Sequence, residues 1–123
     1  MYWISIETEF EAWHQLTFAD GTQESLHPHP WQVTAAVCAA ALNRDGLVMD
    51  FLLLEEIVNT AIAPYRGKQL EKTLFFPGRN ASAENVAKCL FDAIAPRITP
   101  PARLGFVEVT EAPGCRARYQ PGE

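Results

Sequence analysis

HPHPW, residues 27–31, is the segment around which the rest of this chain is arranged. It contains two of the three histidines, and the third is His14. Two histidines at alternate positions of an extended strand point to the same face. A third histidine on a neighbouring strand would complete a three-histidine metal site with one open position, as in catalytic zinc sites. Such pairs also occur on loops and surfaces without a metal, so spacing alone leaves both interpretations open.

Bulk composition limits the kinds of protein this chain can be. Its 123 residues are enough for a buried core but not for two, so we expect residues 1–123 to form a single domain. A net charge of -5 argues against a nucleic-acid surface. No apolar run reaches the ~20 residues of a membrane span, and no secretory signal opens the sequence. The odd number and wide spacing of Cys38, Cys89 and Cys115 predict reduced thiols in a cytoplasmic protein.

Alternation of apolar and polar side chains predicts where the strands lie. Residues 2–16 alternate throughout, which predicts a long half-buried strand with His14 on its apolar face. Residues 31–42 are ambiguous, because their alanines favour a helix whereas their alternate large apolar residues favour a strand. Residues 104–111 and 115–119 predict two further strands joined by a turn.

Helical spacing predicts two helices between these pairs of strands. The first covers residues 51–63 with Asp50 as its N-cap, and the second begins at Ser82 or Asn80 and continues to about Ala95. The predicted buried stripe of the second helix is Val86, Leu90, Ala93 and Ile94. Strands segregated from helices in this order predict an α+β domain with both helices on one face of an antiparallel sheet.

Five segments, in order, resemble motifs of the 6-pyruvoyltetrahydropterin synthase / 6-carboxytetrahydropterin synthase family. They are FEAWH (10–14), HPHPW (27–31), GLVMDF (46–51), ASAENVA (81–87) and EVTE (108–111). The resemblance extends over roughly residues 4–120. It implies the tunnelling fold, a four-stranded antiparallel sheet with two helices in the order ββααββ, and it makes residues 31–42 a strand. It also implies a homo-oligomer, commonly a hexamer, with sites at subunit interfaces.

The same resemblance implies roles for individual residues. The implied zinc ligands are His14, His27 and His29. Glu111 matches the carboxylate that anchors a pterin- or purine-like ring, which it does by accepting two parallel N–H bonds. Ser82 and Ala83 match the positions whose backbone amides lie beside that ring.

Three catalytic groups of the family are missing from this chain. No cysteine lies between His14 and Cys38, where the family has its catalytic cysteine. No histidine follows His29, and no aspartate lies between Asp50 and Asp92, so the Asp-His proton relay is absent as well. Each acid–base group is typically worth ~10²–10⁴ in rate, so we expect the family reaction to be lost.

These departures lead to three hypotheses. In the first, the chain keeps a pterin-like pocket without the synthase reaction, with Glu24 or Glu71 as a possible replacement base. In the second, it is a non-catalytic oligomeric binding or regulatory protein on the same scaffold. The third is an unrelated three-histidine metal hydrolase. Pro28, which stands where the family has glycine, can tilt an imidazole away from a ligand position, so the metal is itself open to test.

Overall fold

The computed structural model describes residues 1–122 of the chain as one four-stranded sheet and two α-helices. In order, the elements are β1 (Tyr2–His14), β2 (His27–Ala39), α1 (Phe51–Ile62), α2 (Ala83–Ile94), β3 (Arg103–Ala112) and β4 (Cys115–Tyr119). The strands lie side by side in the order β1-β2-β3-β4, and every neighbouring pair is antiparallel. The predicted α+β class and the order ββααββ are therefore confirmed.

Residues 31–39 of the segment that was ambiguous in the sequence form the second part of β2, whereas the prediction of a strand is wrong for residues 40–42, which lie beyond its end. The strand part has partners on both sides. It pairs with β1 along its whole length and with β3 from Gln32 onward. Its large side chains fill the space between sheet and helices: Trp31 is fully buried and stacks on Phe10 with ring centroids 6.3 Å apart. Pairing on both sides and core packing therefore override the weak helical propensity of alanine.

Pro28 and Pro30 occupy positions of β2 where no ladder hydrogen bond is lost. β3 pairs only with the later part of β2, so one side of the proline segment is open. On the other side, the β1 partners are Trp13 and Glu11. Their backbone groups point away from β2 and bond instead to residues 67–68, at 2.8 and 2.7 Å. Pro28 with Trp13, and Pro30 with Glu11, are therefore non-hydrogen-bonded pairs of the antiparallel ladder, in which a missing N–H is tolerated.

Both helices begin at the capping residues that the sequence indicates. The Asp50 carboxylate accepts a hydrogen bond from the N–H of Leu52 at 2.8 Å, and the Ser82 hydroxyl accepts one from the N–H of Asn85 at 3.1 Å. These bonds satisfy N–H groups that have no partner within the helix.

The buried stripe of α2 differs from the prediction at one position. It is centred on Ala87, Leu90 and Ile94, which turns Ala93 to solvent and Phe91 inward. The prediction that Ala93 belongs to the core is therefore wrong. Phe91 takes its place because β4 supplies an aromatic partner, Tyr119, whose ring centroid lies 5.2 Å away.

No helix within residues 1–122 is long and apolar enough to cross a bilayer. The three cysteines are free thiols: Cys38 is buried, Cys89 is half-buried and Cys115 is exposed.

Candidate metal centre and adjoining cavities

The three histidines converge at the open end of the β1–β2 pair. His14, the last residue of β1, lies opposite His27, the first residue of β2. His29 follows on the same face, and the three ring centroids are 4.6 to 5.1 Å apart. His14 is completely buried and lies edge-on to Trp31 at 4.9 Å, so the tryptophan ring forms a floor beneath the cluster. The sequence prediction that the three imidazoles share one site agrees with this geometry.

Backbone carbonyls fix the orientation of two of these rings. Nδ1 of His14 lies 2.9 Å from the carbonyl oxygen of Ala81, and Nδ1 of His27 lies 2.6 Å from that of Ser25. A carbonyl oxygen only accepts hydrogen bonds, so each Nδ1 carries the hydrogen and donates it. In the neutral imidazole, each Nε2 then carries a lone pair that points into the cluster. Metal-binding histidines are oriented by the same kind of outer hydrogen bond.

With neutral imidazoles, the inward-facing atoms of the cluster are all electron-pair donors. Nε2 of His14 lies 3.0 Å from Nε2 of His27 and 2.7 Å from Oε1 of Glu111. The same carboxylate oxygen is 3.4 Å from Nε2 of His29, which is buried and has no hydrogen-bond partner within residues 1–122. Lone pairs at these distances repel one another unless a positive charge lies between them. The four ligand atoms lie within 4.8 Å of one another, so this group fits a bound metal ion.

Burial also favours the ligating form of His29. Desolvation lowers the pKa of His29 below its ordinary value of 6.5, and the nearby Glu111 carboxylate opposes this while the two neighbouring imidazoles reinforce it. The neutral imidazole that results is the form that binds metal ions.

Glu24 lies beside the cluster, held there by the loop that joins β1 to β2. Its Oε1 is 3.8 Å from Nε2 of both His14 and His27. The same oxygen accepts the N–H of Leu16 at 3.0 Å, and the backbone of Glu24 bonds to Leu16 and Gln15. A carboxylate at this place can exchange a proton with a group held next to the histidines.

Glu71, the other candidate base, has a different environment. Its Oε1 accepts the N–H of Gln15 at 3.0 Å, and its Oε2 accepts the N–H of Ala81 at 3.2 Å. Both carboxylate oxygens thus accept backbone N–H groups. One belongs to Gln15, the residue after His14, and the other to Ala81, whose carbonyl oxygen contacts the His14 ring. No sequence pattern indicates this bridging position, because Gln15 and Ala81 are far apart in the chain.

Glu111 stands between the histidines and two cavities. One cavity, of about 340 Å³, is lined by Ala83, Glu84, Glu111 and residues 115–118. The other, of about 290 Å³, is lined by Glu111 together with His29 and the neighbouring ends of β2 and β3. The structure therefore brings Glu111 and Ala83 to one cavity, whereas the Ser82 hydroxyl is used to cap α2.

Comparisons with known proteins agree with the fold. A family model described as 6-pyruvoyl tetrahydropterin synthase matches residues 3–122. The 6-pyruvoyl tetrahydropterin synthase of Caenorhabditis elegans superposes with a TM-score of 0.82 at 20% identity, covering 99% of this chain and 98% of that chain. A comparison with curated protein sequences gives no match.

Two further solved structures are similar over nearly their full length. A Plasmodium vivax 6-pyruvoyltetrahydropterin synthase, in which a catalytic glutamate is replaced by alanine, has a TM-score of 0.80 at 16% identity and covers 99% of this chain and 98% of that chain. An uncharacterized protein of Wolinella succinogenes has a TM-score of 0.76 at 18% identity, with 98% of each chain covered. At such identities these structures establish the fold, and the family model spans nearly all of the sequence. The chain belongs to the 6-pyruvoyl tetrahydropterin synthase family.

Proposed function

We propose that this chain binds zinc through His14, His27 and His29 and binds a pterin-like heterocycle at Glu111, without carrying out the synthase reaction for which its family is named. The observation that carries the proposal is a four-ligand cluster that adjoins a cavity lined by Glu111, in a chain without the family's cysteine and Asp-His pair. Three imidazoles and a carboxylate are a donor set that suits zinc.

A flat heterocycle with adjacent amino and amide N–H groups would complement the Glu111 carboxylate, which can accept two parallel hydrogen bonds. The open surface pocket beside it has a volume of about 340 Å³, which is enough space for a small heterocycle. Ala83 lines this cavity at the start of α2, where backbone N–H groups have no intrahelical partner. Backbone amides of Ser82 and Ala83 are therefore proposed to flank the ring.

Proton transfer in this site, for a reaction other than the synthase reaction, is assigned to Glu24. Zinc, when bound, would polarise a substrate oxygen. The Glu24 carboxylate lies 3.8 Å from two of the imidazoles and would take the proton released beside that oxygen. Glu71 is not proposed as the base, since both of its oxygens accept backbone N–H groups. A glutamate is named as a catalytic residue in the Plasmodium vivax relative, so carboxylate catalysis has a precedent on this fold.

We further propose that residues 1–123 form one domain and that six copies assemble into a hexamer. Both edges of the sheet, β1 and β4, lack a neighbouring strand over most of their length in the described chain. Long open edges invite pairing with another chain, and β1 also exposes Tyr2 and Trp3. Light scattering is expected to give six times the 13.7 kDa mass of one chain. A monomeric mass would contradict the assembly.

Incubation with dihydroneopterin triphosphate tests the proposed function. We expect saturable binding by calorimetry and no pyruvoyl or carboxy product at an ordinary enzymatic rate. Formation of either product at such a rate would refute the proposal. Failure to bind any member of a panel of neopterin, biopterin and guanine-like rings would instead favour the non-catalytic oligomeric or regulatory protein.

A further inference from the structure

Two rows of side chains cross the face of the sheet that points away from the helices. Each row follows the strand register from a glutamate on β1 to an arginine on β4. The rows are Glu7, Thr34, Glu108 and Arg118, and Glu9, Gln32, Thr110 and Arg116. Both edge glutamates and both edge arginines are exposed, whereas Ile6 and Phe10, on the opposite face of β1, are buried. The two edges of the sheet therefore carry opposite charges at matching positions.

These edge charges are largely free to bind another molecule. Within residues 1–122, Glu7, Glu9 and Arg116 form no ion pair. Arg118 donates from Nε and Nη2 to Oε2 of Glu108, at 3.2 and 3.1 Å, which leaves its Nη1 without a partner in the described chain. An acidic edge and a basic edge on one chain make that chain complementary to a second copy of itself.

The backbone of both edges is also open. Arg66 donates to the carbonyl oxygen of Glu9 at 3.2 Å, and residues 67–68 bond to the edge of β1 beyond it. Before Glu9, residues 2–8 have no neighbouring strand except β2 in the described chain. This length accommodates β4, which has five residues. β1 and β4 run in opposite directions, because three antiparallel pairings separate them. They would therefore join as one more antiparallel pair if the sheet continued into a second copy.

We propose that charge selects which edges meet when copies of this chain assemble: β1 of one copy pairs with β4 of the next, and Glu7 and Glu9 bind the arginines of the partner subunit. Joining β1 to β1 would set glutamates against glutamates, and joining β4 to β4 would set arginines against arginines. Like charges directly opposite destabilise a strand pair, whereas opposite charges stabilise it. A head-to-tail contact of this kind can close into a ring. Such pairing presupposes the proposed assembly but neither the zinc nor the pterin binding.

Charge reversal on one edge at a time tests this pairing. Wild type is compared with the double variants Glu7→Arg/Glu9→Arg and Arg116→Glu/Arg118→Glu by light scattering at low salt. Each double variant has like charges on both of its edges. We therefore expect its mass to fall from that of the wild-type assembly towards the 13.7 kDa of one chain. Wild-type mass in either double variant would overturn the proposal.

Two further variants separate the edge charges from misfolding and from net charge. The fourfold variant that carries all four reversals again has edges of opposite charge, so we expect the wild-type mass to return. A monomeric fourfold variant would overturn the proposal. The matched control Glu55→Arg/Glu56→Arg reverses two exposed glutamates on α1 and should keep the wild-type mass. Loss of assembly in this control would assign the effect to net charge and would also overturn the proposal.

Salt provides a test that needs no variant. Raising it from about 0.1 M to about 1 M shortens the Debye length from ~10 Å to ~3 Å, so we expect the protein concentration at half-assembly to rise at least about tenfold. Assembly that does not respond to salt would overturn charge as the selecting force. A wild-type assembly of another size that both double variants break would contradict the hexamer but support the pairing. A wild-type monomer would overturn both.

Discussion

His14 donates its Nδ1 hydrogen to the carbonyl oxygen of Ala81, 67 residues further along the chain, over 2.9 Å. The N–H of Ala81 in turn donates to Glu71 at 3.2 Å. A completely buried imidazole on β1 is thus held in one orientation by the loop that precedes α2, and Glu71 holds that loop in place. The histidine and the glutamate do not need to touch for one to position the other.

Glu71→Gln is expected to weaken zinc binding by about tenfold, since loss of an outer hydrogen-bonding group typically costs a metal site 10–100-fold in affinity. Glutamine offers one acceptor oxygen where the carboxylate offers two, so either Gln15 or Ala81 loses its partner. Chelator competition measures the effect. The exposed Glu56→Gln on α1 is the matched control and should bind zinc as wild type does. Unchanged affinity in Glu71→Gln would show that the bridge does not position His14.

Pro28→Gly is expected not to tighten zinc binding, although glycine is the residue that the family has there. The imidazoles on both sides of Pro28 already converge, and its missing N–H faces no acceptor. Proline also restricts the conformational entropy of the unfolded chain. We therefore expect the free energy of unfolding of Pro28→Gly to be lower than that of wild type by about 0.4–1 kcal/mol. Zinc titration and urea unfolding of the metal-free protein measure the two effects. A marked gain in zinc affinity would mean that Pro28 strains the site.

Much of the fold can be predicted from the spacing of apolar residues along the sequence. Alternation over residues 2–16 predicts β1, and helical spacing with the Asp50 and Ser82 caps predicts both helices. Periodicity alone could not decide residues 31–42, because residues 31–39 become a strand through pairing with β1 and β3. The error at Ala93 has a similar cause, since the inward-facing Phe91 packs against Tyr119 from the distant β4, a contact that helical spacing cannot show.

The convergence of the histidines could be predicted from the sequence, but the different contacts of Glu24 and Glu71 could not. Spacing on two strands indicates that His14, His27 and His29 converge. Glu24 and Glu71 could not be distinguished from sequence, because their positions depend on bonds between distant segments. Glu71, for example, bonds to a backbone N–H 56 residues away in sequence.

Glu24→Gln is expected to lower turnover of a pterin substrate by about 100-fold or more, the usual effect of losing a general base. Glutamine can keep the hydrogen bond from Leu16, so the loop should stay in place and the ring should still bind. Conversion of dihydroneopterin triphosphate to products other than the pyruvoyl and carboxy compounds measures turnover, and calorimetry of neopterin measures binding. Full turnover by the variant would refute Glu24 as the base.

Tyr65 gives the protein a specific sensitivity to alkaline pH. Burial raises the pKa of Tyr65 above its ordinary value of 10.0, and the contact of its hydroxyl with Sγ of Cys89 at 3.1 Å raises it further. The phenol thus stays protonated in the folded chain at pH values where it ionises in the unfolded chain. The unfolded chain then binds fewer protons, so the free energy of unfolding decreases as pH rises.

Tyr65→Phe is therefore expected to lessen the loss of stability between pH 10 and pH 11 by up to about 1.4 kcal/mol, the value of one pKa unit. Below about pH 9 the phenol is protonated in both states, so Tyr65 should add almost no pH dependence there. Urea unfolding at pH 8, 10 and 11 measures the difference. Tyr2→Phe, the same chemical change at a half-exposed position, should lose stability over this range as wild type does. Equal losses in Tyr65→Phe and wild type would mean that the Tyr65 phenol ionises as easily in the folded chain as in the unfolded one.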